Sequence, residues 1–506
     1  MSDASVHSAL RSDARLVVVE APAGCGKTYQ AAEFASEALP KLGDGRLLVL
    51  AHTHAAADVF ASRTLRLGSR IDVRTIDSLI AEVATAYHAT LGLPSDSGAW
   101  VRARKDGYQQ LASLVARLIT TSPMIAEAQA RRYPLIICDE HQDSSEDQHT
   151  IVIALQRAGA VLRVFGDPMQ HIFGSARQRA EVDADLARWE QLKRAGRFEE
   201  LDHPHRWSGG SERLGTWILA CRQALKDGGV VDLTQAIPPQ VRVIVADNQA
   251  QRRGAFQTSQ DEARELRRMM AAGDLLVLSR HNDTVSGLRA FYGRRAPIWE
   301  GHTREALEAF VSCLSAANDD ASAVAQGIVE FLGAVGVGFS PTAFGDRFKS
   351  EVANRCAKSA RGMPATLQGL ARLVLAEPNH KGASKVLAQV TKLARDHAAF
   401  DAVKIDHSRE YAEAISLGGF DDLLQGFGEI TLRRTQMRQP LPARAISTVH
   451  KAKGFERDNV LVVPCDGTHF SDNRASRCAL YVAMSRARRQ LNLVVSRANP
   501  SPLVLI

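Results

Sequence analysis

The sequence predicts an α/β protein with two parallel-sheet domains, each interrupted by a helical segment. Short Val/Ile/Leu runs recur in two series, each run gives way to a turn or a helical stretch, and two long segments carry helical spacing without any strand run. A strand buried on both faces of a parallel sheet reads as a continuous apolar run rather than an alternating one.

The first series is "RLVVVEAP", "RLLVLAHT", "PLIICDEH" and "VLRVFGDP"; the second is "VRVIVAD", "DLLVLSR", "RAISTVH", "DNVLVVPC" and "QLNLVVS". Between Ala81 and Arg131, Leu and Ala fall at helical spacing, and the same holds from Gly301 to Arg438, as in "REALEAFVSCLSAAND". The expected division is therefore 1–80 and 132–205 for a first sheet domain around a helical insertion at 81–131. Residues 206–300 and 439–506 form the second, around an insertion at 301–438. No repeat of fixed period and no low-complexity linker interrupts this order.

A chain of 506 residues exceeds what one hydrophobic core serves, so two to four domains are expected. It is 45% hydrophobic and 24% charged, with no apolar run of bilayer length. Acidic residues precede the first short apolar run and no cleavage-site pattern follows, so the N-terminus does not read as a signal peptide. Seven cysteines are scattered singly, which argues against a disulfide framework, a zinc ribbon or an iron–sulfur cluster and suits a reducing cytoplasm. The net charge of +7 suits a polyanionic partner.

The chemistry concentrates in "VVVEAPAGCGKTYQ". A strand, a small-residue loop (Ala21, Pro22, Ala23, Gly24, Cys25, Gly26), then Lys27, Thr28 and a helix form the arrangement that wraps phosphates in backbone N–H groups. Lys27 would meet the β and γ charges of a nucleotide, and the Thr28 hydroxyl would ligate Mg²⁺. In "LIICDEHQD" a buried strand ends in two carboxylates: Asp139 would hold Mg²⁺ through water, and Glu140 would polarise the attacking water.

These motifs and those that follow resemble a superfamily 1 helicase of the UvrD/Rep/PcrA type, whose fold is a pair of RecA-like phosphate-loop motor domains. "APAGCGKT" fits that family's first motif, "LAHTHAAADVF" and "RTIDSL" resemble its DNA-contacting segments, and "DEHQD" its DExQD box. "VFGDPMQHIFG" resembles the stretch whose glutamine senses the γ-phosphate, here Gln170; "LDHPHRW" maps its arginine to Arg206. "ISTVHKAKGFERDNVLVV" resembles the T-x-H-x-x-K-G-x-E segment, with Thr448, His450, Lys453, Gly454 and Glu456, the last placed for the ribose. "LYVAMSRARRQLNLVV" places a second γ-phosphate arginine at Arg486.

The resemblance implies Gln142 and Gly454 as further nucleotide contacts, and His52, Thr53, Thr75, Phe173, Thr448 and His450 as DNA contacts. It implies ATP and Mg²⁺ as cofactors, and single-stranded DNA and its junctions with duplex as partners, in the cytoplasm at the nucleoid.

Several positions depart from the pattern. No glutamine precedes the loop to read adenine, and Tyr29 and His205 occupy the places of the arginine and aromatic that sandwich the base, so this pair is expected to stack it. Ser175 and Ala176 stand where a Trp is usual, leaving Phe173 as a stacking platform or a core residue, and His52 replaces a common Phe.

Two functions remain compatible with these residues. One is an ATP-driven 3′-to-5′ helicase moving on single-stranded DNA. The other is a nucleotide-gated DNA-binding subunit controlling a partner nuclease, since short helicases of this type also resemble components of antiphage systems such as Gabija. No nuclease constellation follows the final motor strand, so DNA cleavage is expected from a partner.

Overall fold

The computed structural model describes residues 2–506 except 53, 65–67, 69, 103, 105, 173–178, 247–249, 253–254, 272, 300–303, 340 and 437–441. The chain divides into two compact units, Met1–Tyr292 with Thr448–Ile506, and Gly293–Ser447.

The first unit holds both expected sheets. Strands β1 (Leu16–Glu20), β2 (Leu47–Ala51), β3 (Ile71–Thr75), β4 (Leu135–Cys138), β5 (Val161–Gly166) and β6 (Arg197–Glu200) run parallel in the order β3-β2-β4-β5-β1-β6. Successive side chains of a strand point to opposite faces. Val17, Val19, Leu47, Val49 and Ile137 accordingly enter one core, while Val18, Leu48, Leu50, Ile136 and Val164 enter the other. Both faces being dry explains the continuous apolar runs, and each fully buried Val, Leu or Ile contributes about 1.5–3 kcal/mol.

The helices Gly107–Thr121 and Pro123–Arg132 pack into the second of these cores. Leu111, Val115, Ile119 and Ala126 share it with β1, β2, β4 and β5.

In the second sheet, strands β7 (Val241–Ala246), β8 (Leu275–Ser279), β9 (Arg457–Cys465) and β10 (Ala487–Ser496) lie parallel in the order β8-β9-β10-β7. Three helices carry the functional argument: α1 (Lys27–Ala38), α2 (Glu212–Lys226) and α3 (Arg474–Met484). Among the described residues, no helix is long and apolar enough to cross a membrane.

The unit Gly293–Ser447 is mainly helical and has its own core. Phe310, Ile328, Phe331, Leu367, Val386 and Phe400 are buried together, with the rings of Phe310 and Phe331 stacked at 4.5 Å.

Candidate nucleotide site

The loop between β1 and α1 is shaped by two glycines. Gly24 and Gly26 have φ of 79° and 81°, the left-handed region that L side chains avoid. A Cβ on Gly24 would also lie 2.7 Å from the Trp207 ring and 2.8 Å from Cβ of Arg206. Ala21, Ala23 and Cys25 are buried; burial pushes the Cys25 thiol up to about 12, which removes it as a nucleophile. Helix α1 starts at Lys27, with the Tyr29 and Gln30 amides on the Gly26 carbonyl, and a helix N-terminus that follows such a loop is a general anion-binding arrangement.

Lys27 Nζ pairs with Asp139 Oδ1 at 3.0 Å and with Glu140. Both carboxylates follow the end of β4, and Glu140 has φ of 54°, a left-handed conformation that costs a non-glycine residue on the order of 1 kcal/mol or more and recurs at functional sites. Burial alone would raise the Glu140 carboxyl, but Lys27 and Lys453 hold it well below the ordinary range. Asp139 is pushed up, by burial and by the neighbouring Glu140 charge. Gln142 donates to Glu140 Oε2 at 2.6 Å and accepts from the Asp167 amide at 3.0 Å. Gln170 donates to Asp167 Oδ2 at 3.0 Å.

Residues distant in sequence complete the site. The Arg206 amide donates to the Gly24 carbonyl at 3.0 Å, while its guanidinium bonds the Ser485 carbonyl at 2.7 Å and pairs with Glu456 at 2.5 Å. Arg486 is 3% exposed; its Nε bonds the Val482 carbonyl at 2.9 Å and its Nη2 the Ser485 hydroxyl at 2.7 Å. Burial, then the neighbouring Arg206 charge, lowers Arg486 to about 10, which leaves it charged at neutral pH. Lys453 Nζ pairs with Asp143 and donates to the Gln170 carbonyl at 2.8 Å.

Other expected residues fall in varied settings. Gly454 has φ of 86°. Tyr29 is exposed, and His205 bonds Asp3 at 2.7 Å while its ring meets the edge of His203. Thr75 caps the helix Ile76–Ala86 by accepting the Ser78 amide, and the Thr448 hydroxyl accepts the Lys451 amide at 3.3 Å. His450, held neutral chiefly by burial that lowers it to about 4, donates from Nε2 to the Ile172 carbonyl at 3.0 Å. His52 is half-buried beside β2. Thr53 and Phe173, with Ser175 and Ala176, lie outside the described residues.

A family model described as an AAA domain matches residues 3–232, and one described as a UvrD-like helicase C-terminal domain matches residues 444–494. The first takes in the phosphate loop and the DEHQD strand end; the second takes in Lys453, Glu456 and Arg486. Taken together, the two matches support a UvrD-type superfamily 1 helicase. On this fold of two parallel sheets, the matches support a helicase-type ATPase. A search of curated proteins finds no match.

Sequence reasoning missed two partners of this candidate site. Tyr481 on α3 is buried, and its hydroxyl accepts the Ala23 amide at 2.8 Å. Arg222 on α2 sits in a buried charge group reaching Glu20 and Asp167. Neither belongs to a local pattern; only the Glu in "VVVEAP", a charge inside an apolar strand, signals that a buried cation must exist nearby.

Proposed function

We propose that this helicase-family chain is an ATP-driven translocase on single-stranded DNA that unwinds duplex with 3′-to-5′ polarity, coupling hydrolysis to closure of its two sheet lobes. The observation that carries the reading is that Arg206 and Tyr481 bond the loop that begins at Ala21, at Gly24 and Ala23, while the Arg206 guanidinium pairs with Glu456 and lies near Arg486. Groups that meet a γ-phosphate only when the lobes are together make nucleotide binding and lobe movement one equilibrium.

In this reading the loop amides and Lys27 bind the triphosphate and Glu140 takes a proton from the attacking water. Gln170 reads the γ-phosphate, and Arg206 and Arg486 stabilise the charge that spreads over its oxygens. The donor set fits Mg²⁺, a hard cation favouring hydroxyl and carboxylate oxygen, with Thr28 and Asp139 as its holders. Bound there, the ion neutralises phosphate charge. Ala21, Pro22, Ala23, Gly24, Cys25, Gly26, Gln142, Gly454 and Glu456 surround the nucleotide, and Tyr29 with His205 flanks the base. His52, Thr75, Thr448 and His450 contact the strand. The 1–80, 132–205 and 206–300, 439–506 segments are the lobes, with 81–131 and 301–438 as insertions.

The test is ATP hydrolysis with and without single-stranded DNA, beside strand displacement from 3′ and 5′ tails. Stimulated hydrolysis with displacement from the 3′ tail supports the motor. Stimulated hydrolysis without displacement from either tail replaces it with a nucleotide-gated DNA binder.

A further inference from the structure

Beside the phosphate loop lies a charge cluster that the hydrolytic scheme does not use. Arg222, 3% exposed, places its guanidinium among carboxylates from the ends of three adjacent strands: Glu20 closing β1, Asp167 just after β5, and Glu200 closing β6. Nη2 donates to Glu20 at 2.5 Å and Asp167 at 2.8 Å, Nε to both Asp167 oxygens at 3.1 and 3.3 Å, and Nη1 to Glu200 at 3.3 Å. Lys226, one turn further along α2, also pairs with Glu20. Glu20 and Asp167 are each 1% exposed, and carboxylates that deep stay ionised only when paired and hydrogen-bonded.

Asp167 is the point where this cluster meets the chemistry. Its Oδ1 also accepts the Met169 amide at 3.0 Å, its Oδ2 accepts the Gln170 side-chain amide at 3.0 Å, and its own N–H goes to Gln142, which holds Glu140. A continuous set of bonds thus runs from Arg222 through Asp167 to the γ-phosphate glutamine and to the base.

We propose that Arg222 is a positioning residue for hydrolysis: by fixing the Asp167 carboxylate it orients Gln170, and through Gln142 it orients Glu140. The inference rests on the roles given above to Gln170 and Glu140. Nucleotide binding is held by the loop amides and Lys27, which Arg222 does not touch, so Arg222 governs turnover rather than affinity. Lysine supplies the charge but not the planar fork that spans several carboxylates, so it restores the function only in part.

The test compares Arg222→Met, Arg222→Lys, Asp167→Asn, Gln170→Ala and the double variant Arg222→Met/Gln170→Ala in the full chain. It reads kcat and KM for ATP with single-stranded DNA, affinity for a fluorescent ATP analogue, and melting temperature. Arg222→Met and Asp167→Asn are expected to lower kcat on the order of 10- to 100-fold, the scale of a small misplacement of catalytic groups, with analogue affinity within about threefold. Arg222→Lys recovers part of the loss, and the double variant loses less than the product of the two single losses, because the arm through Gln170 is already gone.

Two results overturn the proposal: near wild-type kcat in folded Arg222→Met or Asp167→Asn whatever their melting temperature, or losses that multiply in the double variant. Should Arg222→Met not fold, Asp167→Asn and Arg222→Lys decide, the latter contradicting the proposal if its kcat equals wild type. Wild-type turnover in Gln170→Ala overturns the role assigned to Gln170 itself, which separates that failure from a failure of Arg222.

Discussion

The hydroxyl of Tyr481 accepts the backbone N–H of Ala23 across 458 residues of sequence, at 2.8 Å. The phosphate loop thereby uses one of its own amides to hold the helix that leads into Ser485 and Arg486. Tyr481→Phe keeps the ring and removes the acceptor, leaving a buried N–H unpaired, which costs about 1–3 kcal/mol. Chemical denaturation should show a loss of that size with unchanged secondary structure by circular dichroism. Stability equal to wild type would mean the bond contributes nothing.

Lys27 carries the loop's charge. Replacing it with Ala removes a charge-assisted contact of about 1.5–3 kcal/mol, so affinity for a fluorescent ATP analogue should fall about 10- to 150-fold. The same change leaves Asp139 without its cation and Glu140 with Lys453 alone, so the melting temperature should fall as well. Unchanged analogue affinity would remove the loop from the nucleotide site.

Glu140→Gln should bind the nucleotide and turn it over about 10²–10⁴ times more slowly, the range for loss of a general base. Rapid-quench hydrolysis distinguishes this from a binding defect. Full turnover would transfer the role to another group.

His171 gives the pH dependence a sign. Burial opposes its charged form, but Asp143 at 3.2 Å and Asp185 at 3.1 Å outweigh that and raise it above the ordinary 6.5. Lys453 faces the same Asp143 and Arg188 the same Asp185, while Glu140 and His52 act on Asp143 from further off. A histidine raised on folding contributes stability that is full below its unfolded pKa and is lost as pH rises through its folded value. Melting temperature should therefore fall as pH climbs above about 6.5, and His171→Gln should flatten that slope. An identical slope in the variant would assign the dependence elsewhere.

The parts legible in sequence are the parts that local chemistry dictates. β1, β2, β4 and β5 read as strands because both faces of the sheet are dry, and the loop at Gly24 and Gly26 reads as a phosphate loop because those turns need glycine beside a lysine and a helix start. What stays illegible is pairing across the chain. Helical spacing between Ala81 and Arg131 says nothing of the core those helices share with Val18 and Leu50. Arg222 is one of two arginines on an amphipathic helix, and only the fold brings it to Glu20.

The central claim is that guanidinium groups far along the chain complete the site begun by Lys27, and Arg206 tests it most directly because it is only partly buried and bonds the Gly24 carbonyl through its backbone. The measurement is single-turnover ATP hydrolysis by Arg206→Ala with saturating single-stranded DNA, alongside analogue binding. The account predicts a rate lower by about 10³-fold or more, with binding retained within about tenfold. Hydrolysis at the wild-type rate would contradict it.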